Sequence, residues 1–167
     1  MDKKELRKII KEKRANLEID CSIFVRKIKQ TDLYKESKNI MIFYPMKNEI
    51  NLLELLKDES KQFYLPRVNC LNLECCPYSN GDKLCLSCYK TQEPISSPVL
   101  KDFVDLVIVP ALCVDKNNYR LGYGGGFYDR FLKDYLGKSI VCVPKEFVLQ
   151  EIFLEEQDIP VNLVITD

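Results

Sequence analysis

DLVIVPAL, Asp105 to Leu112, is followed after a short polar stretch by RLGYGGGFYDRFLKDYLG, Arg120 to Gly137. The first run is almost continuously apolar, the pattern of a central strand buried on both faces. In the second, Phe127, Phe131, Leu132, Tyr135 and Leu136 keep helical spacing, and Gly137 is a suitable terminator. Strand, glycine loop, helix is the basic unit of an α/β fold, and the rest of the chain repeats its alternation.

Working outward, residues 2–18 carry Leu6, Ile9, Ile10, Lys13 and Leu17 on a helical stripe, and Asp20 caps a second helix that presents Phe24, Val25 and Ile28. Asn39–Pro45 and Gln62–Pro66 read as short buried strands. Asn51 caps a helix between them that holds Leu52, Leu53, Leu55 and Leu56. Residues 68–92 depart from this alternation. Two roughly alternating segments flank Asn80-Gly81-Asp82, which predicts a hairpin or a pair of edge strands turning there. After the glycine unit come a strand at Ser139–Pro144, a short helix at Val148–Leu154 and a closing strand at Pro160–Thr166. No repeat or linker divides the 167 residues, so one domain with a mostly parallel sheet is expected.

The 25 basic and 25 acidic residues leave no net positive field, which argues against general nucleic-acid binding. No apolar run is long enough to span a bilayer. The basic start, MDKKELRKIIKEKR, lacks the apolar block of a signal peptide, so the cytoplasm is the expected location. With no histidine, Ser-His-Asp and Cys-His nucleophile systems and histidine-containing zinc sites are excluded. The chemistry must rest on carboxylates, amines, guanidiniums, phenols, thiols or backbone groups.

Gly122 to Gly126 sits between a strand and a helix, where glycines allow close backbone approach and N–H groups face an anion. Arg120 precedes the loop and Arg130 follows it. Asp129 falls in the first helical turn, where a carboxylate is favoured and can hold Mg²⁺. Neither the Walker A pattern nor the dinucleotide fingerprint fits. From the residues alone, a phosphate cradle and a plain glycine-rich turn stand side by side. A rival site is the group Cys70, Cys75, Cys76, Cys85 and Cys88, which includes a Cys-x-x-Cys and would make a zinc-binding interaction module. Its spacing suits buried packing better, because adjacent strand residues face opposite ways.

PALCVDKNNYRLGYGGGFYDRFL resembles the signature of the 5-formyltetrahydrofolate cyclo-ligase family. KKELR, FYPMKNEINLLELL and QDIPVNLVIT resemble further family segments in the expected order, so the resemblance covers nearly the whole chain. It implies a three-layer αβα domain and ATP- and Mg²⁺-dependent closure of 5-formyltetrahydrofolate to 5,10-methenyltetrahydrofolate. A catalytically silent nucleotide-binding regulator on the same fold is the alternative. The resemblance also implies ATP contacts at Lys3, Arg7 and the run Arg120, Leu121, Gly122, Tyr123, Gly124, Gly125, Gly126, Phe127 and Tyr128, with Arg120 and Tyr128 in catalysis. Folate contacts fall on Tyr44, Glu49 and Phe127, and Mg²⁺ ligands on Asp129 and Asp158. Small-molecule substrates are the implied partners of a monomer or small homo-oligomer. Gln157 stands where family members often carry His, and Phe127 where they often carry Tyr.

Overall fold

In a computed structural model describing residues 1–167, the apolar run that follows Asp105 forms the centre of a six-stranded sheet. The helices are α1 (Lys3–Ala15), α2 (Cys21–Gln30), α3 (Asp32–Glu36) and α4 (Phe127–Lys133). The large sheet contains β1 (Asn39–Met41), β2 (Gln62–Asn69), β3 (Asn72–Pro77), β6 (Leu106–Val109), β9 (Lys138–Cys142) and β11 (Leu163–Ile165). A two-stranded ribbon pairs β4 (Leu84–Leu86) with β5 (Gln92–Pro94). A third sheet joins β7 (Cys113–Asp115), β8 (Arg120–Leu121) and β10 (Val148–Leu149).

The large sheet runs in the order β11-β9-β6-β1-β2-β3, parallel throughout except for β3 at the edge. Its alternation separates two cores. Ile40, Leu106, Ile108 and Ile140 point to one side, where α2 and α3 supply Phe24, Ile28 and Tyr34. Met41, Val107, Val109 and Val141 point to the other, against Ile10 of α1 and Phe131 and Leu132 of α4. The architecture is the expected α/β three-layer arrangement, with helices on both faces of a mostly parallel sheet. The chain leaves β1 toward β2 on one side and continues from β6 to β9 and β11 on the other, so the strand order reverses between β1 and β6. Ligands of open α/β sheets sit beyond the carboxyl ends of strands at such a reversal.

Several local readings are corrected. The hairpin turn lies at Cys70-Leu71, not at Asn80-Gly81: β2 pairs with β3 from Tyr64↔Pro77 to Asn69↔Asn72, and Cys70 takes φ 56°. Asn80-Gly81 instead steers the chain from β3 into β4, which pairs with β5. The expected helix after Asn51 is a five-residue 3₁₀ helix, Leu53–Lys57, and Asn51 Oδ1 accepts the Leu53 N–H at 3.0 Å. Residues 148–154 form no helix, because Val148 and Leu149 join β7 and the Ile152 N–H is taken by Asp115 Oδ2. α4 stops at Lys133, where Tyr135 turns back to donate its hydroxyl to Val104 O at 2.7 Å. The run Asp105–Leu112 also divides at Pro110, which has no N–H for a ladder. Beyond it the chain enters the small sheet and returns through a β7–β8 hairpin whose tip is tied by Asp115 Oδ1 to the N–H groups of Asn117 and Tyr119. On α1, Arg14 rather than Lys13 lies on the buried face.

Candidate active site

The β7–β8 hairpin folds Arg120 back beneath the end of β6, where its Nη1 donates to Pro110 O at 3.4 Å. The side chain is almost fully enclosed, and its Nε is a buried donor without a partner. Nη2 lies 3.5 Å from Asp129 Oδ2, and the guanidinium stands 5.5 Å from the centre of the Tyr128 ring. Burial holds the Arg120 pKa below its ordinary value, against the opposing fields of Asp129, Tyr128 and Asp158. A guanidinium this dry, with a free donor, is prepared for an anion rather than for water.

The glycine loop follows directly. Gly124 and Gly126 take φ 112° and 70°, conformations that disfavour any side chain, and Gly126 starts α4. Arg7 of α1 reaches across to donate to Gly122 O at 2.9 Å, so the first helix is latched to the loop. From the other side Arg130 donates to Gly125 O at 2.9 Å and to Leu71 O at 2.8 Å, tying the loop to the β2–β3 hairpin tip. Its guanidinium also covers Phe127 at 4.9 Å, and Tyr89 meets the same ring edge-on at 5.5 Å.

Lys3 contacts Asp158 and lies 3.0 Å from Glu155 Oε2, while Asp158 Oδ2 also accepts the Glu155 N–H. Asp129 Oδ1 accepts the Ile159 N–H at 3.4 Å, which brings the two aspartates to the same corner. Gln157 donates to Glu155 Oε2 at 3.0 Å. In the segment after β1, Glu49 closes a turn: its N–H donates to Met46 O, and its Oε1 accepts the Met46 N–H at 2.8 Å. Burial pushes the Glu49 carboxyl up, against the Met46 N–H, Tyr123 and Arg14. Burial likewise raises the Tyr123 and Tyr128 phenols, so both remain protonated donors at neutral pH.

Lys3, Arg7, Tyr44, Glu49, Arg120 to Tyr128, Asp129 and Asp158 all line one cleft of about 440 Å³, at the strand-order reversal. The sequence reading missed its third wall. The two excursion ribbons contribute Pro66, Val68, Leu73, Tyr89 and Glu93, and none of these stood in a recognisable pattern. Tyr89, an aromatic residue in a polar turn, was the one available signal. The excursion is therefore a wall of the cleft. Cys75 and Cys76 are buried in β3, Cys70, Cys85 and Cys88 are exposed, and no three ligating side chains converge on a point.

The family model of 5-formyltetrahydrofolate cyclo-ligases matches residues 1–167. The chain belongs to that family. It is similar to the 5-formyltetrahydrofolate cyclo-ligase of Mycoplasma genitalium, 26% identical over 177 residues that cover 99% of this chain and 98% of the relative. An NMR structure of the Aquifex aeolicus 5,10-methenyltetrahydrofolate synthetase superposes with a TM-score of 0.86 at 30% identity, over 99% of this chain and 90% of the other. The Mycoplasma pneumoniae 5,10-methenyltetrahydrofolate synthetase gives a TM-score of 0.76 at 25% identity, over 99% and 98%. As a member of the 5-formyltetrahydrofolate cyclo-ligase family the protein is an enzyme, a ligase of folate chemistry. No helix is long and apolar enough to cross a membrane.

Proposed function

We propose that residues 1–167 act as one domain that spends ATP to close 5-formyltetrahydrofolate to 5,10-methenyltetrahydrofolate, releasing ADP and phosphate. The observation that carries this reading is that Glu49 and the Arg120–Asp129 loop share one cleft. A carboxylate fit for the N–H edge of a pterin thus shares the cleft with a guanidinium fit for phosphate.

The chemistry explains the need for ATP. The formyl group is amide-like, and its oxygen leaves badly as hydroxide but well as phosphate. The formyl oxygen attacks the γ-phosphorus as the bond to ADP breaks. The neighbouring folate nitrogen then attacks the activated carbon and gives up its proton, and the C–O bond breaks as phosphate departs carrying that proton. Such a route asks the protein for position and charge more than for covalent catalysis, so a chain without histidine suffices.

In this reading Arg120 receives the transferring phosphoryl group, its unpartnered Nε supplying the missing donor. Lys3 and Arg7, four residues apart on α1, take the outer phosphates, and Tyr128 donates its protonated hydroxyl. The loop Leu121–Phe127 wraps the phosphates with backbone N–H groups. Tyr44 and Phe127 pack against the pterin that Glu49 orients. The oxygen-only pair Asp129 and Asp158 fits Mg²⁺, which needs just one or two protein carboxylates. When bound, the ion offsets the charge that the phosphates bring. Both substrates are small molecules. A cytoplasmic monomer or small homo-oligomer suits this role.

The test is the near-ultraviolet absorbance of methenyltetrahydrofolate after mixing protein and 5-formyltetrahydrofolate, with and without Mg²⁺ and ATP. Product that needs both, and falls at least about 100-fold in folded Asp129→Asn, supports the proposal. Folded wild-type protein that binds ATP and yields no product would overturn it in favour of a silent regulator.

A further inference from the structure

Arg14 lies outside the cleft lining, yet it is among the most buried charges in the molecule, with 3% of its surface exposed. It forms no ion pair. Its acceptors are backbone carbonyls: Nη1 donates to Ala111 O and Leu112 O, each at 3.0 Å, and Nη2 donates to Asn48 O at 3.2 Å. A further Nε contact to Asn48 O is 3.4 Å, and the Phe147 ring lies 5.6 Å away. Burying a guanidinium without a carboxylate is costly, so a purely structural role would be met more easily by an apolar side chain.

The three carbonyls identify what the cost secures. Ala111 and Leu112 follow β6, and Asn48 lies in the segment after β1, so Arg14 bridges the two chain exits on either side of the reversal. The peptide between Asn48 and Glu49 is gripped at both ends. Its C=O accepts from Arg14, and its N–H donates to Met46 O at 3.0 Å. Asn48 holds φ 68°, a left-handed conformation that this grip stabilises. The Glu49 side chain can then fold back onto the Met46 N–H and face Tyr123.

We propose that Arg14 is a positioning residue for folate: through the Asn48 carbonyl it fixes the peptide that carries Glu49, and thereby the carboxylate on which substrate orientation depends. The inference rests on the proposed role of Glu49. Arg14 itself touches neither substrate nor reacting atoms.

The experiment compares Arg14→Met and Arg14→Lys in the wild-type and Glu49→Gln backgrounds, measuring KM for each substrate and 5-formyltetrahydrofolate binding by calorimetry without ATP. Arg14→Met removes the donors but keeps an unbranched stem. It is expected to weaken folate binding about tenfold or more while KM for ATP stays within about twofold. In Glu49→Gln the same change is expected to add less than about twofold, because the residue through which Arg14 acts is already lost. Arg14→Lys, with charge but one donor centre, is expected to fall between, and it carries the same comparison if Arg14→Met does not fold. Undiminished folate affinity in a folded variant, or an equal additional loss in Glu49→Gln, would falsify the positioning role. Wild-type protein that neither binds nor converts 5-formyltetrahydrofolate rejects the functional reading instead, and so the two failures are told apart.

Discussion

Glu49, the proposed folate contact, would in that role serve binding at the expense of folding. Burial raises its pKa above the ordinary value of 4.5, so the folded chain holds the proton more tightly than the unfolded chain does. Stability therefore declines as pH rises from 4.5 through the raised native value, above which the ionised carboxylate is a net burden. Arg14, Tyr123 and the Tyr128 phenol are the groups whose fields meet it. Glu49→Gln keeps an oxygen for the Met46 N–H, and its thermal midpoint at pH 7 should rise while folate affinity drops about tenfold or more. In the wild type, KM for folate should climb on acidification at pH values above the ordinary glutamate range, and Glu49→Gln should lose that dependence. Gly126 is constrained differently. An added Cβ would stand 2.7 Å from Arg130 Nη1, in a backbone at φ 70°. Gly126→Ala should cost about 1–2 kcal/mol, lowering the midpoint by roughly 2–8 °C in calorimetry.

At the scale of elements, the glycine loop is held by two arginines from opposite directions, Arg7 on α1 and Arg130 at the base of α4. Arg130 also reaches Leu71 O, so the β2–β3 hairpin and the loop form one wall. Arg130→Ala should raise KM for ATP severalfold while the unfolding free energy falls by only about 1–2 kcal/mol, since two exposed hydrogen bonds are lost. Steady-state kinetics and denaturant titration together separate the two effects. The elements best read from sequence were those whose pattern is local. β6 is a run of apolar residues, and α2 has both its Asp20 cap and its apolar face. The β2–β3 register was not legible, because the Asn80-Gly81 signal is strong for any turn and says nothing about which strands it joins. Residues 148–154 looked helical by composition, and a parallel ladder to β7 decided otherwise.

Across the whole molecule the thiols divide by burial. Cys70, Cys85 and Cys88 lie exposed on the excursion, whereas Cys75, Cys113 and Cys142 are buried, each with its thiol pushed up to about 12. A chromogenic disulfide reagent should titrate the three exposed thiols promptly, leave those three buried ones unreacted in folded protein, and reach all 8 cysteines in denaturant. Added zinc should leave the thermal midpoint unchanged. The sequence by itself determined the layer type and the chemistry within reach, because strand and helix periods and the absence of histidine are properties of neighbouring residues or of composition. It also marked Arg120, the glycine loop and Asp129, which lie within ten residues of one another. Only the tertiary structure decided that Glu49, Lys3 and Asp158 meet them in one cleft, that two ribbons close its third side, and that Arg14 turns inward without a carboxylate. Each depends on the strand-order reversal between β1 and β6. That reversal is fixed by long-range burial of both sheet faces and leaves no periodic trace along the chain.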